Sequence, residues 1–267
     1  MIDVQGHRGA RGYLPENTLP GFALARDVGV TTLELDVGVT ADGVVVVHHD
    51  RRLNPDIARG PDGQWVTAPS RPIHSLTWKE LQGFDVGRLR PKSEYAARFP
   101  RQEPLDGTRI ARLVDLFALV KDSEVRFNIE PKMDAEALDE TLAAEPFARA
   151  LIAAVRQAGV ERRTTIQAFH WPVLAVVERE AAELPTVYCT EGRQSDPQKV
   201  HAAGGRIWSP DFRDLTDLTI ATARQLGLRI TVWTVNELAD IQRMLAAGVD
   251  GIASDYPDRV LQALRKR

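Results

Sequence analysis

Glu34 and Asp36 stand two residues apart in the stretch TLELDVGV, alternating with Leu and Val. In an extended strand such residues share a face, so the two carboxylates point one way and Leu35 and Val37 the other. Two acids in an apolar strand are costly to bury unless a cation offsets them; a solvated strand face is the plain alternative. Asp42-Gly43 follows between two β-rich runs, a hairpin signal because both residues accept positive φ. With those two as the loop, Ala41 faces Val44 and Asp36 faces His49, which sets an imidazole beside the carboxylates. A slip of one residue would turn His49 to the other face.

Further groups with chemistry fall at the ends of other apolar runs. Gly6-His7-Arg8-Gly9 reads as a tight loop where backbone and ligand approach closely, and Asn128-Ile129-Glu130-Pro131-Lys132 adds an acid and an ammonium. Alone, His7 reads as a core histidine; beside Arg8 and between glycines it reads as part of a site. Glu34, Asp36 and Glu130 form an all-oxygen donor set that suits one divalent cation, Mg²⁺ or Ca²⁺, better than zinc. Arg8 and Lys132 would offer bidentate and point-charge donors to an anionic substrate, and a phosphoryl group fits that mixture. His7 and His49 are the side chains poised near neutral pH for general acid and base roles. His48 is read as the outward neighbour of His49, and His74, His170 and His201 as surface or loop residues.

These groups need a scaffold that gathers strand ends. Ile2 to His7 reads as a strand, and Pro15-Glu16-Asn17-Thr18 supplies a cap for a helix running to about Val28, where Gly29 stops it. The Thr31 to Asp36 strand completes a βαβ unit. Residues 51–112 lack any long period and are rich in Pro, Gly, Arg and Asp. They are predicted to form an insertion, a lid or cap with short helices near Thr77 to Leu81 and Glu94 to Phe99. Alternation then resumes with a helix from about Leu113 to Lys121, a strand Val125 to Glu130 and an Ala-rich helix within Ala135 to Ala158. Strands follow at Thr164 to Phe169, Thr186 to Thr190, Arg206 to Ser209, Ile230 to Val235 and Gly251 to Ser254, with helices over Glu237 to Ala247 and Pro257 to Leu264 between or after them. That makes eight strands, with Val44 to His49 as a hairpin arm on the rim. The prediction is an α/β fold, a TIM-like (β/α)8 barrel forming one domain over residues 1–267, with chemistry at the C-terminal strand ends.

Composition narrows the partners. A chain of 267 residues with 43% hydrophobic and 27% charged residues and a net charge of -3 is ordinary for a soluble protein and gives no electrostatic case for nucleic acid. No apolar run approaches the roughly 20 residues of a spanning helix. One cysteine, Cys189, excludes an internal disulfide. A strand begins almost at once and no leader precedes it, which predicts a cytoplasmic address, or a periplasmic one if a leader has been removed. Nothing in the sequence speaks to oligomeric state.

The successive stretches GHRGARGYLPENT, LELDVGVTADGVVVVHHD, NIEPK, TVWTVN and GIASDYPD resemble the signatures of the glycerophosphodiester phosphodiesterase family, in the expected order and from end to end of the chain. The resemblance implies a metal-dependent phosphodiesterase that converts glycerophosphodiesters, such as glycerophosphocholine and glycerophosphoethanolamine, to sn-glycerol 3-phosphate and an alcohol. It implies a divalent cation on Glu34, Asp36 and Glu130, acid and base roles for His7 and His49, phosphate contacts from Arg8 and Lys132, and a polar role near the site for Glu16, whose alternative is to organise a helix start. It further implies attack by the substrate's own glycerol hydroxyl and a cyclic phosphate that water opens. Phe169 and Trp233, at strand ends, suit a wall against the glycerol, and ordinary barrel core is the alternative. Two departures, RIARLV at 109–114 where Pro-Thr-Leu is common and QAF where Ser often precedes Phe, bear on substrate fit. Rival readings are a phospholipase C- or D-like enzyme acting on lipid phosphodiesters, for which the Arg-rich 88–101 stretch is the candidate membrane rim, a non-catalytic phosphate-binding barrel, and an enolase-like site, for which no base on a later strand is evident.

Overall fold

A computed structural model describes residues 2–266. Eight strands run parallel in a closed ring: β1 (Asp3–Gly6), β2 (Thr32–Val39), β4 (Arg126–Pro131), β5 (Thr164–Ala168), β6 (Thr186–Thr190), β7 (Ile207–Pro210), β8 (Arg229–Val232) and β9 (Gly251–Ser254), with β9 pairing back onto β1. The short β3 (Val45–Val47) lies antiparallel on β2 outside the ring. Helices α1 (Leu19–Val28), α4 (Leu113–Leu119), α5 (Ala144–Ala158), α6 (Trp171–Glu180), α7 (Pro197–Ala202), α8 (Asp217–Gln225), α9 (Leu238–Ala246) and α10 (Pro257–Arg265) alternate with the strands, and α2 (Trp78–Leu81) and α3 (Glu94–Ala97) lie between β3 and α4. This is the TIM-like (β/α)8 barrel that the alternation predicts. Among the described residues no helix is long and apolar enough to cross a membrane.

Local chemistry explains the boundaries. Thr18 caps α1 by accepting from the Gly21 N–H, and Gly29 ends it in the left-handed region at φ 97°. In α5, Phe147, Ala148, Leu151, Ile152 and Val155 form one buried stripe at helical spacing. The outward faces of the strands meet such stripes: Phe127 of β4 is fully buried with its ring 4.8 Å from Phe117 of α4. The inward face differs from the aliphatic layers common in these barrels. Asn128 Nδ2 donates to Gln5 Oε1 at 3.0 Å and to Gln167 Oε1 at 2.8 Å, and Gln167 Nε2 donates to Glu34 Oε1 at 2.7 Å. Buried amides are thus satisfied by one another up to the acidic mouth.

The hairpin departs from its predicted register. Val37 pairs with Val47 and Val39 with Val45, so Asp36 stands opposite His48, one residue from the expected partner His49. The loop holds three residues, Ala41-Asp42-Gly43, because Thr40 closes it: its hydroxyl accepts from the Val44 N–H at 2.9 Å, its carbonyl accepts from the Gly43 N–H at 3.0 Å, and only Gly43 takes a positive φ of 80°. A three-residue loop with glycine at the left-handed position is the next commonest hairpin after the two-residue one.

Residues 51–112 contain both predicted short helices. Thr77 caps α2 in a capping box with Glu80, and Ser93 caps α3. Leu53, Ile57, Ala58, Ile73, Leu76, Leu81, Val86 and Ile110 form a small apolar cluster of their own, joined by Val46 of β3. Val45 and Val47, on the other face of β3, belong to the main core. Strand alternation therefore fastens the insertion to the barrel.

Replacing Phe127 by Ala should destabilise the protein by about 3–5 kcal/mol in urea unfolding, as truncation of a fully buried aromatic does. A loss below about 1 kcal/mol would mean that the strand–helix layer repacks freely, contrary to its close-packed geometry.

Candidate active site

The loop after β1 is tight enough to leave no room for side chains at its glycines. A Cβ on Gly6 would lie 2.4 Å from the Gly9 carbonyl oxygen, and Gly9, at φ 89°, has the Gly21 backbone within 2.9 Å of where a Cβ would be. Arg8 between them takes a positive φ of 50°. The loop holds His7 and Arg8 on the wall of a cavity of about 840 Å³ at the C-terminal strand ends.

Glu34 and Asp36 of β2 are buried, and Asp36 stands in register with Glu130 of β4. The three carboxylates offer oxygen atoms within 4.8 Å of one another, and all three line the cavity. Arg8 Nε approaches Asp36 Oδ2 at 3.1 Å, and Lys132 Nζ lies 2.6 Å from Glu130 Oε1 and 3.6 Å from Asp36 Oδ1. Asn17 Nδ2 donates to Asp36 Oδ2 at 2.9 Å, and Glu34 accepts from the Arg8 backbone N–H at 2.9 Å. Burial alone would raise Asp36, but Arg8, His49 and Lys132 hold it well below the usual carboxylate range. Glu34 is pushed far above that range by burial, by Asp36 and by Glu130, and the Arg8 contacts only oppose this. Such crowding, with an all-oxygen donor set, fits a hard divalent cation held by Glu34, Asp36 and Glu130.

Both proposed histidines line the cavity, each with a carboxylate at Nδ1. His7 Nδ1 is 2.7 Å from Asp255 Oδ1 and its Nε2 is 3.9 Å from Glu34 Oε2; His49 Nδ1 is 2.9 Å from Asp50 Oδ1. These contacts select the Nδ1–H tautomer and leave Nε2 as the basic nitrogen. Burial, joined by Arg11 and resisted by Asp255, lowers His7 to about 4, so it stays neutral through the physiological range. His49 reaches the cavity although the register differs from the predicted one, because β3 ends at Val47 and the chain bends over residues 49–50. His48 is buried, with Nε2 3.3 Å from the Arg52 carbonyl oxygen, rather than an outward neighbour.

Arg8, Lys132, Phe169 and Trp233 also line the cavity. The Phe169 and Trp233 rings meet edge to face at 5.3 Å, and Lys132 Nζ lies 6.0 Å from the Phe169 centroid. Glu16 stands one layer back, behind Arg8 rather than on the wall, with Oε1 accepting from Arg8 Nη1 at 2.9 Å. Sequence reasoning puts Gln167 and Asp255 at strand ends and Asn17 at a helix start but assigns none of them, nor Asp50, Arg11 and Tyr95, the part of holding these groups. Asp50 follows His49 directly and Asp255 ends the last strand, so their types and positions are visible in the sequence. Tyr95, from α3, carries no such mark.

The family model of the glycerophosphoryl diester phosphodiesterase family matches residues 7–259. A glycerophosphodiester phosphodiesterase of Caldanaerobacter subterraneus subsp. tengcongensis is 27% identical over 98% of each chain, and one of Bacillus subtilis is 28% identical over 94% of this chain and 83% of its own. Among solved structures, a putative glycerophosphoryl diester phosphodiesterase from Silicibacter pomeroyi superposes with a TM-score of 0.94 at 40% identity, covering 100% of this chain and 94% of its own. An Oleispira antarctica phosphodiesterase, solved in complex with the product sn-glycerol-3-phosphate, shares the fold at a TM-score of 0.80 and 20% identity over 99% of this chain and 97% of its own.

Carboxylate crowding has a thermal signature. Mg²⁺ or Ca²⁺ at a hundredfold excess over its dissociation constant should raise the Tm of the chelator-treated protein by about 5–10 °C. Glu34→Gln should abolish the cation-dependent rise, since it removes one of the three carboxylates that would hold the cation. A cation response that survives the substitution would place the binding site elsewhere.

Proposed function

The chain belongs to the glycerophosphoryl diester phosphodiesterase family, and on that premise we propose that it hydrolyses small glycerophosphodiesters, such as glycerophosphocholine and glycerophosphoethanolamine, to sn-glycerol 3-phosphate and the free alcohol. The observation that carries this reading is the arrangement of two His–Asp pairs around a carboxylate trio in one cavity. Glu34, Asp36 and Glu130 would hold one divalent cation, which when bound would make a nearby hydroxyl more acidic and offset charge on the phosphoryl oxygens. Arg8 and Lys132 bind those oxygens, and Phe169 and Trp233 wall the glycerol moiety.

His7 is the base in this reading. Its Nε2 takes the proton of the attacking glycerol hydroxyl as that oxygen bonds to phosphorus. The bond from phosphorus to the departing alcohol oxygen breaks, and His49 gives that oxygen a proton. Water then opens the resulting cyclic phosphate with the two roles exchanged. Asp255 holds His7 in the Nδ1–H tautomer, whose Nε2 is free to accept, and Asp50 offsets the charge on His49 when that ring also carries at Nε2 the proton it gives. The cavity wall formed by Asp50, Arg51, Arg52, Asn54, Tyr95 and Arg98, all from the hairpin end and the insertion, supports a lid role for residues 51–112 over the alcohol.

Release of glycerol 3-phosphate from glycerophosphocholine should require Mg²⁺ or Ca²⁺ and fall by about 10²–10⁴-fold in His49→Ala and in His7→Ala. Failure of the wild type to release it with either cation would reject the substrate class. On the acid side, kcat/KM should hold until the pH nears the value of about 4 to which His7 is lowered, because the base must be proton-free to act. A single-proton loss of activity near 6.5 that tracks His7 protonation, seen by NMR, would overturn the lowering, and activity that persists below the pH at which His7 is protonated would remove His7 from that role.

A further inference from the structure

We propose that Tyr95 is a positioning residue for the phosphoryl-binding arginine, which makes helix α3 of the insertion part of the anion-recognition apparatus; this rests on the role assigned to Arg8 above. Arg8 is hydrogen-bonded at Nη1 and ion-paired, without a hydrogen bond, at Nε. Nε lies against Asp36, and Nη1 donates to Glu16 Oε1 at 2.9 Å and reaches the Tyr95 hydroxyl at 3.5 Å. Nη2 donates to no group among the described residues, which leaves it for a ligand on the cavity that Arg8 lines. The direction of that donor is set by the plane of the guanidinium, and the plane is set by what grips Nη1.

Tyr95 is central to the grip. Its hydroxyl donates to Glu16 Oε2 in a short hydrogen bond and accepts from Arg11 Nη1 at 3.1 Å. Glu16 is buried and serves both arginines, with Arg11 Nη1 3.6 Å from Oε2. One carboxylate therefore stands between two guanidiniums that repel each other, and the phenol oxygen is the neutral atom in reach of all three. Phe99, two residues past the end of α3, reinforces the contact: the Tyr95 and Phe99 rings meet edge to face at 5.4 Å, and the Arg11 guanidinium lies 4.6 Å from the Phe99 centroid. Arg11 in turn bonds Asp255 through Nε at 2.9 Å, the carboxylate that holds His7. Without the phenol oxygen, Glu16 has two competing cations and no third ligand, and Arg8 loses the contact that fixes which of its nitrogens faces the cavity.

Tyr95→Phe keeps the ring and its packing and removes only the oxygen. With Mg²⁺ present, it should lower kcat/KM about tenfold, almost wholly through KM, and weaken binding of inorganic phosphate, followed by calorimetry, by a similar factor, with kcat and Tm near wild type. Arg8→Lys should weaken phosphate binding on its own, and Tyr95→Phe should then add little in the Arg8→Lys background, since the phenol acts through Arg8. Phosphate affinity and KM within about twofold of wild type in Tyr95→Phe, or a fall in kcat with KM unchanged, would overturn the inference, and so would additive losses in the double variant. Unchanged phosphate affinity in Arg8→Lys would remove the role of Arg8 itself and the inference with it, a result separable from a Tyr95 failure alone.

Discussion

Three carboxylates share the mouth of the barrel, and like charges that close, taken out of water, set the terms for every neighbour. Asp36 remains ionised because Arg8 and Lys132 reach it and Asn17 donates to it; Glu34, which receives a Gln167 amide and an Arg8 backbone N–H but no side-chain cation as near, is driven far upward. The asymmetry is a consequence of strand geometry. Asp36 sits at the height of Glu130, within reach of the lysine that follows it two residues on, whereas Glu34 sits one pleat deeper, opposite Asn128. The amide ladder below exists to meet that deeper acid. A barrel packed with Val and Leu at these positions would leave Glu34 without a donor from beneath, at a desolvation cost of several kcal/mol.

Above the acids the same device occurs twice. A buried aspartate from the last strand orients His7, and the residue next to His49 orients that ring. The two solutions differ in rigidity. Asp255 is itself gripped by Arg11 and by Asn236, which donates to its carboxylate and accepts from its backbone N–H, while Asp50 sits on a bend and takes its further support from Asn54. One imidazole belongs to the barrel and the other to the edge where the insertion begins, a division in keeping with the base role proposed for His7 and the acid role proposed for His49.

Much of this was legible in the sequence because its signals are local. Alternation places Glu34 and Asp36 on one face, βα spacing counts the strands, and short helices are readable near Thr77 to Leu81 and Glu94 to Phe99. The hairpin register was not legible, since Asp42-Gly43 is compatible with a two- or a three-residue loop and the choice lay in the Thr40 side chain. His49 still lines the cavity only because the strand stops before the slip can carry it away. Asp255 could be seen at a strand end but not paired, and Tyr95 could not be seen at all: its role depends on contacts 79 and 84 residues back in the chain, which no periodicity records.

The contact between His7 and Asp255 spans 248 residues, and the strands that carry them are the first and last of the ring. Pairing of that kind is the most expensive in loop entropy and contributes most to contact order, so it is expected to come late as the chain folds. A partly closed barrel can assemble the acids of β2 and β4, which are neighbours in the ring, yet it leaves the His7 ring without the carboxylate that orients it. On the role proposed for His7, the last seam of the barrel to close is also the one that arms the site.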